Sequence, residues 1–167
     1  MNEDDYYIEE ISEIYKDKTS EIPLICAAAS NGDIETVKFM LGAGVEVDFG
    51  TEEGETPLIY DQTALVSAAE SGHWKVVKTL VEAGADITIQ NAWLHSPLTM
   101  ALFYANAENQ RTEMFLRMDL YRNYWKIVTL LVKQHLLQDP EIEKPCGIEE
   151  VAYFQIYGMI VELRRRR

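Results

Sequence analysis

The chain has 167 residues, 47% of them hydrophobic, enough to bury a core within one domain and unlike the composition of disordered, collagenous or low-complexity chains. Lysine and arginine number 15 against 28 acidic residues, for a net charge of -13, and the terminal Arg164 to Arg167 are among the few positive charges. Such a field repels phosphate backbones and anionic headgroups and favours basic partners, so neither nucleic acid nor a membrane surface is expected as a ligand.

At the N-terminus, the acidic start Met1 to Asp5 differs from the basic, then apolar, pattern of a secretory signal. The longest aliphatic stretch, Ile127 to Val132, falls far short of the ~18 residues a bilayer crossing needs. Cys26 and Cys146 stand far apart and outside any paired-ligand spacing, so two reduced thiols and a cytoplasmic location are expected. Ile8, Ile11, Ile14 and Tyr15 fall on one helical face amid Glu9, Glu10 and Glu13, which predicts an amphipathic helix within residues 1–21.

The chain then repeats itself. Ile25-Cys26-Ala27-Ala28-Ala29-Ser30-Asn31-Gly32-Asp33 corresponds to Leu65-Val66-Ser67-Ala68-Ala69-Glu70-Ser71-Gly72-His73 at an offset of 40, as do Val37-Lys38 with Val77-Lys78 and Gly44 with Gly84. A third copy opens at Ser96-Pro97-Leu98, with Leu98 and Ala101 lying 33 residues after Leu65 and Ala68. Its second half is displaced: Trp125-Lys126-Ile127-Val128 matches Trp74-Lys75-Val76-Val77 at an offset of 51, which is the 33-residue period plus an insertion of 18. The first offset contains the same period plus 7.

A period of about 33 with these landmarks in register resembles the ankyrin repeat. The likeness runs from about Pro23 to Gln134 and is densest from Thr63 through Ala68-Ala69-Glu70-Ser71-Gly72-His73 to Ala83-Gly84-Ala85-Asp86. It implies an all-α solenoid of stacked helix-turn-helix units joined by hairpin-like loops. The expected division is an N-terminal cap over 1–21, repeats over 22–55, 56–95 and 96–138, and a C-terminal cap over 139–167. In that last segment Ile148, Val151, Ala152, Ile156, Met159, Ile160 and Leu163 share one helical face.

Each landmark has a physical reason. Ser96 or Thr56 can cap a helix, and Pro97 or Pro57 sits at the first helical position, where a missing N–H is harmless. Paired alanines let neighbouring helices approach, and Gly32 and Gly72 permit the turn between helices. Val37, Met40 and Leu41, like Val77, Leu80 and Val81, form one apolar stripe. The histidine that usually follows Thr-Pro-Leu in the family is replaced by Cys26, Val66 and Thr99, at the expense of a local hydrogen bond. The opening of repeat two is written twice, as Thr56-Pro57-Leu58 and Thr63-Ala64-Leu65. Either the first helix starts early and is longer, or residues 56–61 loop out; a longer helix is the expectation.

The 18-residue insertion, near Asn106 to Asn123, lacks glycine and proline and predicts helix. Met114, Phe115, Met118 and Tyr121 recur at helical spacing beside Arg111, Arg117 and Arg122. Both a longer helix pair packing on itself and a partner-contacting protrusion fit this pattern.

No reacting constellation emerges. His73, His95 and His135 are widely separated, and His73 holds the family's turn position, a structural place. No phosphate loop, dinucleotide turn or nucleophile elbow is present. Glu46, Asp48, Glu52, Glu53, Glu55 and Asp61 lack the ligand alternation of a calcium loop. No catalysis, metal or cofactor is expected.

The resemblance instead implies a protein-binding surface formed by loop tips and exposed positions of the first helices. In this sequence those positions are Ser30, Asn31, Glu52, Glu53, Glu55, Glu70, Ser71, Ala92, Trp93, His95, Phe103 and Tyr104. The expected function is that of a monomeric module binding another protein with a basic surface; the alternative is an acidic inhibitor or immunity-type protein that neutralises a basic toxin or nuclease. Arg164 to Arg167 offset the dipole of the last helix or form a nucleic-acid or targeting patch.

Overall fold

The computed structural model describes residues 24–48, 63–91, 94–109, 118–139, 156–158, 160–162 and 165. Among the described residues the regular structure is helical, without strands: α1 Leu24–Asn31, α2 Ile34–Gly42, α3 Ala64–Glu70, α4 Trp74–Glu82, α5 Pro97–Asn109 and α6 Met118–Gln138. The all-α reading of the sequence therefore holds.

Small residues and stripes dictate how these helices stack. α1 packs on α2, α3 on α4 and α5 on α6; across the repeats, α1, α3 and α5 contact in series, and α2, α4 and α6 form a second series. α3 lies in the middle, and Ala64 to Ala69 are all buried because Ala68 and Ala69 allow helices to close on it from both sides. The outer series contributes Val37 and Met40, then Val76, Val77 and Leu80, then Ile127, Val128, Leu131 and Val132. Fully burying such an aliphatic side chain is worth roughly 1.5–3 kcal/mol. At the far end Ile156 and Ile160, one helical turn apart, belong to the same core, while Tyr157 and Val161 face outward.

Local chemistry sets the helix ends. Asp33 caps α2 by accepting from the Thr36 N–H at 3.1 Å and the Thr36 hydroxyl at 2.7 Å. Ser96 does the same for α5, accepting from the Thr99 N–H at 3.3 Å, and Pro97 follows at the first helical position as the sequence predicts. The Thr99 hydroxyl donates to the Ser96 carbonyl at 2.8 Å, so at this repeat a local hydrogen bond is made without the family's histidine. Gly44 and Gly84 follow α2 and α4 with φ of 87° and 94°, the left-handed conformation that ends a helix.

One expectation is corrected. The first helix of repeat two is not extended back to Thr56. Thr63 has an extended backbone, φ -78° and ψ 160°, and its side chain accepts from the Val66 N–H at 3.3 Å, so it caps a helix that begins at Ala64. Of the two written openings, the second is therefore the one used; Thr56 and Pro57 lie outside the described residues. The insertion expected to be helical lengthens both helices of its pair. α5 runs on to Asn109 and α6 starts at Met118, 21 residues long, while residues 110–117, with Arg111, Met114, Phe115 and Arg117, lie outside the described residues. Ile8 to Tyr15 of the expected N-terminal cap lie outside them as well.

Candidate partner-binding face

The C-terminal ends of α1 and α3 lie beside the middle of α5, and residues there form a connected row. The Ser30 and Ser71 hydroxyls lie 3.3 Å apart across the α1–α3 boundary. His73 precedes α4 at the place Asp33 takes before α2, yet its side chain makes no cap. Its Nε2–H donates instead to the Ser30 carbonyl at 3.0 Å, which fixes the tautomer and ties the two repeats together. The ring packs against Gly32, whose φ of 75° suits a residue without Cβ.

The row continues through Glu70 and Tyr104. The Tyr104 hydroxyl donates to Glu70 Oε1 at 3.0 Å, and the Tyr124 hydroxyl donates to the Glu70 carbonyl at 2.7 Å. The two tyrosine rings stack at 5.8 Å, so the lengthened α6 supports α5 from behind. Gly72 allows this approach, since a Cβ there would meet Leu120 at 2.7 Å. Burial and the Glu70 carboxylate together hold the Tyr104 phenol above its ordinary pKa, so it remains a donor. Phe103 stands edge-on to Tyr104 at 5.3 Å and is 65% exposed. The sequence-predicted Ser30, Glu70, Ser71, Phe103 and Tyr104 are thus brought together, with Asn31 exposed beside Ser30.

His95 belongs to the loop leading into α5. There the Asn91 N–H donates to the His95 carbonyl at 3.0 Å, Asn91 Oδ1 accepts from the His95 N–H at 2.9 Å, and the Leu94 N–H donates to the Asn91 carbonyl at 2.8 Å. The turn leaves the His95 side chain exposed. Leu94 at its tip is a residue sequence reasoning missed: its φ is 62° and it is 71% exposed. A leucine in left-handed backbone with its side chain in water is unfavourable twice over, and nothing in its neighbours' identities signals this. Glu52, Glu53, Glu55, Ala92 and Trp93 lie outside the described residues.

The acidic loop tips also connect repeats. Asp48 accepts the Asp86 N–H with both carboxylate oxygens, at 3.0 and 3.1 Å, and Asp86 in turn accepts from the Thr88 N–H at 2.8 Å. Desolvation, with like charge from Asp86 and Glu46, raises the Asp48 pKa against the pull of that backbone hydrogen bond. Among the described residues no group of three His, Cys, Asp or Glu side chains is placed to hold a metal ion, and no helix is long and apolar enough to cross a membrane.

A family profile for ankyrin repeats, three copies, matches residues 5–91. The match ends before α5. Among relatives, a protein named for ankyrin repeats in Rickettsia bellii (strain RML369-C) is 30% identical over 57% of this chain and 57% of its own length. Serine/threonine-protein kinase 12 of Arabidopsis thaliana is 31% identical over 48% of this chain and 16% of its own, and an L-asparaginase of Dirofilaria immitis is 34% identical over 50% and 13%. The chain therefore spans a little over half the length of the first relative and under a fifth of the other two. With more than half of its residues matched and the helix pairs, capped turns and inter-repeat ties in place, the chain belongs to the ankyrin repeat family.

Proposed function

We propose that the chain is a non-catalytic protein-binding module whose docking surface is the row formed by the ends of α1 and α3 and the middle of α5. Ankyrin repeats are in general protein interaction modules. The observation carrying the finer reading is the continuity from Ser30 and Ser71 through Glu70 to Tyr104 and Phe103. A large exposed ring stands there beside a fixed carboxylate, the combination of apolar anchor and charge on which interface affinity concentrates. In this reading Leu94 and His95, exposed in the loop before α5, extend that surface.

The net charge of -13 favours a partner with a basic surface over nucleic acid or membrane, and its self-repulsion favours a monomer; a cytoplasmic location, read from the acidic start and the cysteine usage, belongs to the same proposal. The same charge supports a second reading, an inhibitor that covers a basic toxin or nuclease. The repeat divisions at 22–55, 56–95 and 96–138, with capping segments before and after, complete the proposal.

Affinity capture from the source cells tests it. Phe103→Ala removes the apolar anchor, and Glu70→Gln removes the charge while keeping an acceptor for Tyr104. Both are expected to release a partner held by the unaltered chain; a partner retained by both places the docking surface elsewhere. One stoichiometric complex that weakens steeply with salt favours the inhibitor, because salt screens the attraction between an acidic and a basic surface.

A further inference from the structure

The second helices carry a surface of the opposite character. An open groove of about 410 Å³ lies between the start of α4 and the length of α6, lined by Trp74, Arg122, Trp125, Lys126, Leu130 and Lys133. Its walls are apolar, with Trp74, Trp125 and Leu130 half-buried, and its charged lining residues are all cations in a chain of net charge -13. The Lys126 ammonium sits 4.7 Å from the centre of the Trp74 ring, which holds it over the groove and reduces the freedom it loses on meeting an anion. Arg122 approaches Asp119 at 3.7 Å, an exposed pair of little energetic weight. Lys133 makes no ion pair with a described residue.

We infer that this groove is a second binding site, for a short acidic peptide segment of a partner protein in which an aromatic or aliphatic residue lies between carboxylates. Arg122 and Lys133 are eleven residues apart on α6, about 16 Å along the helix, the span of about five residues of extended peptide. The carboxylates meet the cations at the two ends and at Lys126, and the apolar side chain lies between the two indoles. A nucleic-acid strand fits less well, because a long polyanion is repelled by a chain of net charge -13. A second copy of the chain is opposed by the repulsion of two bodies at -13 each. The site lies on the α4–α6 side, apart from the row of first-helix residues, so it stands or falls independently of that face.

The test titrates the 15N-labelled full chain with the blocked hexapeptide EEFFEE, following the indole N–H signals of Trp74 and Trp125 in 1H–15N spectra. Saturable shifts with a Kd below ~1 mM are expected. QQFFQQ is expected to bind at least about tenfold more weakly, as is EEFFEE to the Lys126→Glu/Lys133→Glu chain. Both lysines are exposed, so the fold should persist; circular dichroism checks this, and Lys126→Gln/Lys133→Gln provides the milder variant. The inference is overturned if no saturable shift appears, if QQFFQQ binds equally, or if the lysine variants bind as before. Octathymidylate or inorganic phosphate shifting the same signals with equal or higher affinity would also overturn it, assigning the groove to nucleic acid or to simple anions.

Discussion

The His73 ring lies so close to Gly32 that a Cβ added at that glycine would fall 2.6 Å from Nδ1, while the same ring donates across the repeat boundary to the Ser30 carbonyl. Gly32 thus serves two ends, a turn with φ of 75° and a seat for the residue that joins repeats. Gly44 shares the left-handed backbone at φ 87° but has open space around it. Gly44→Ala should therefore lose about 1–2 kcal/mol from backbone strain alone. Gly32→Ala should lose about 1 kcal/mol more, because His73 must leave its acceptor. In a His73→Ala background the two alanine substitutions should come out alike in urea unfolding; an undiminished difference would show that the ring is not its source.

His135 is 3% exposed on α6, and its Nε2 has no hydrogen-bond partner among the described residues. Burial holds its pKa below the ordinary value, with Asp86 pulling more weakly the other way. The unfolded chain therefore takes up this proton first, near pH ~6.5, and stability is lost as the pH falls from there toward the folded pKa. Thermal unfolding of the native chain should show a decline as the pH falls below about 7 that is shallower in His135→Leu. Parallel curves would mean that His135 titrates alike in both states.

Leu94 combines a positive φ with a side chain in water, and both are relieved by a residue that tolerates this backbone. Leu94→Asn should raise stability by about 0.5–1 kcal/mol. The same substitution should weaken capture of the partner if the leucine is kept for binding. Stability and capture that fall together would instead make Leu94 a packing residue.

The Cys26 thiol is buried, and burial pushes its pKa up to about 12. In a Cys146→Ser chain, which leaves Cys26 as the sole thiol, reaction with a disulfide reagent near pH ~8 should be absent until urea unfolds the protein. Rapid labelling of the folded chain would place Cys26 outside the core.

The stacking was legible because its signals are short-range and doubled. Alanine pairs, the Gly32 and Gly72 turns and the apolar stripes recur at one offset, so each copy checks the other. The start of α3 was ambiguous because Thr56 and Thr63 carry the same capping chemistry; only the backbone at Thr63 distinguishes them. The candidate face was legible in part. Ser30, Glu70, Ser71, Phe103 and Tyr104 follow from the repeat register, whereas the Tyr104–Tyr124 stack depends on where the insertion brings α6. Leu94 was missed because leucine gives no sign of left-handed backbone. The groove of α4 and α6 was half visible in Arg122, but Lys126 and Lys133 join it only once Trp74 of the previous repeat lies opposite.

The central claim, that the row of first-helix residues is the docking surface, is tested most directly by hydrogen exchange of the captured complex against the free chain. Slower exchange is predicted at residues 30–31, 70–71, 94–95 and 103–104, with the outer faces of α2 and α4 unchanged. Protection confined to the second helices, with those four stretches exchanging as in the free chain, would contradict it.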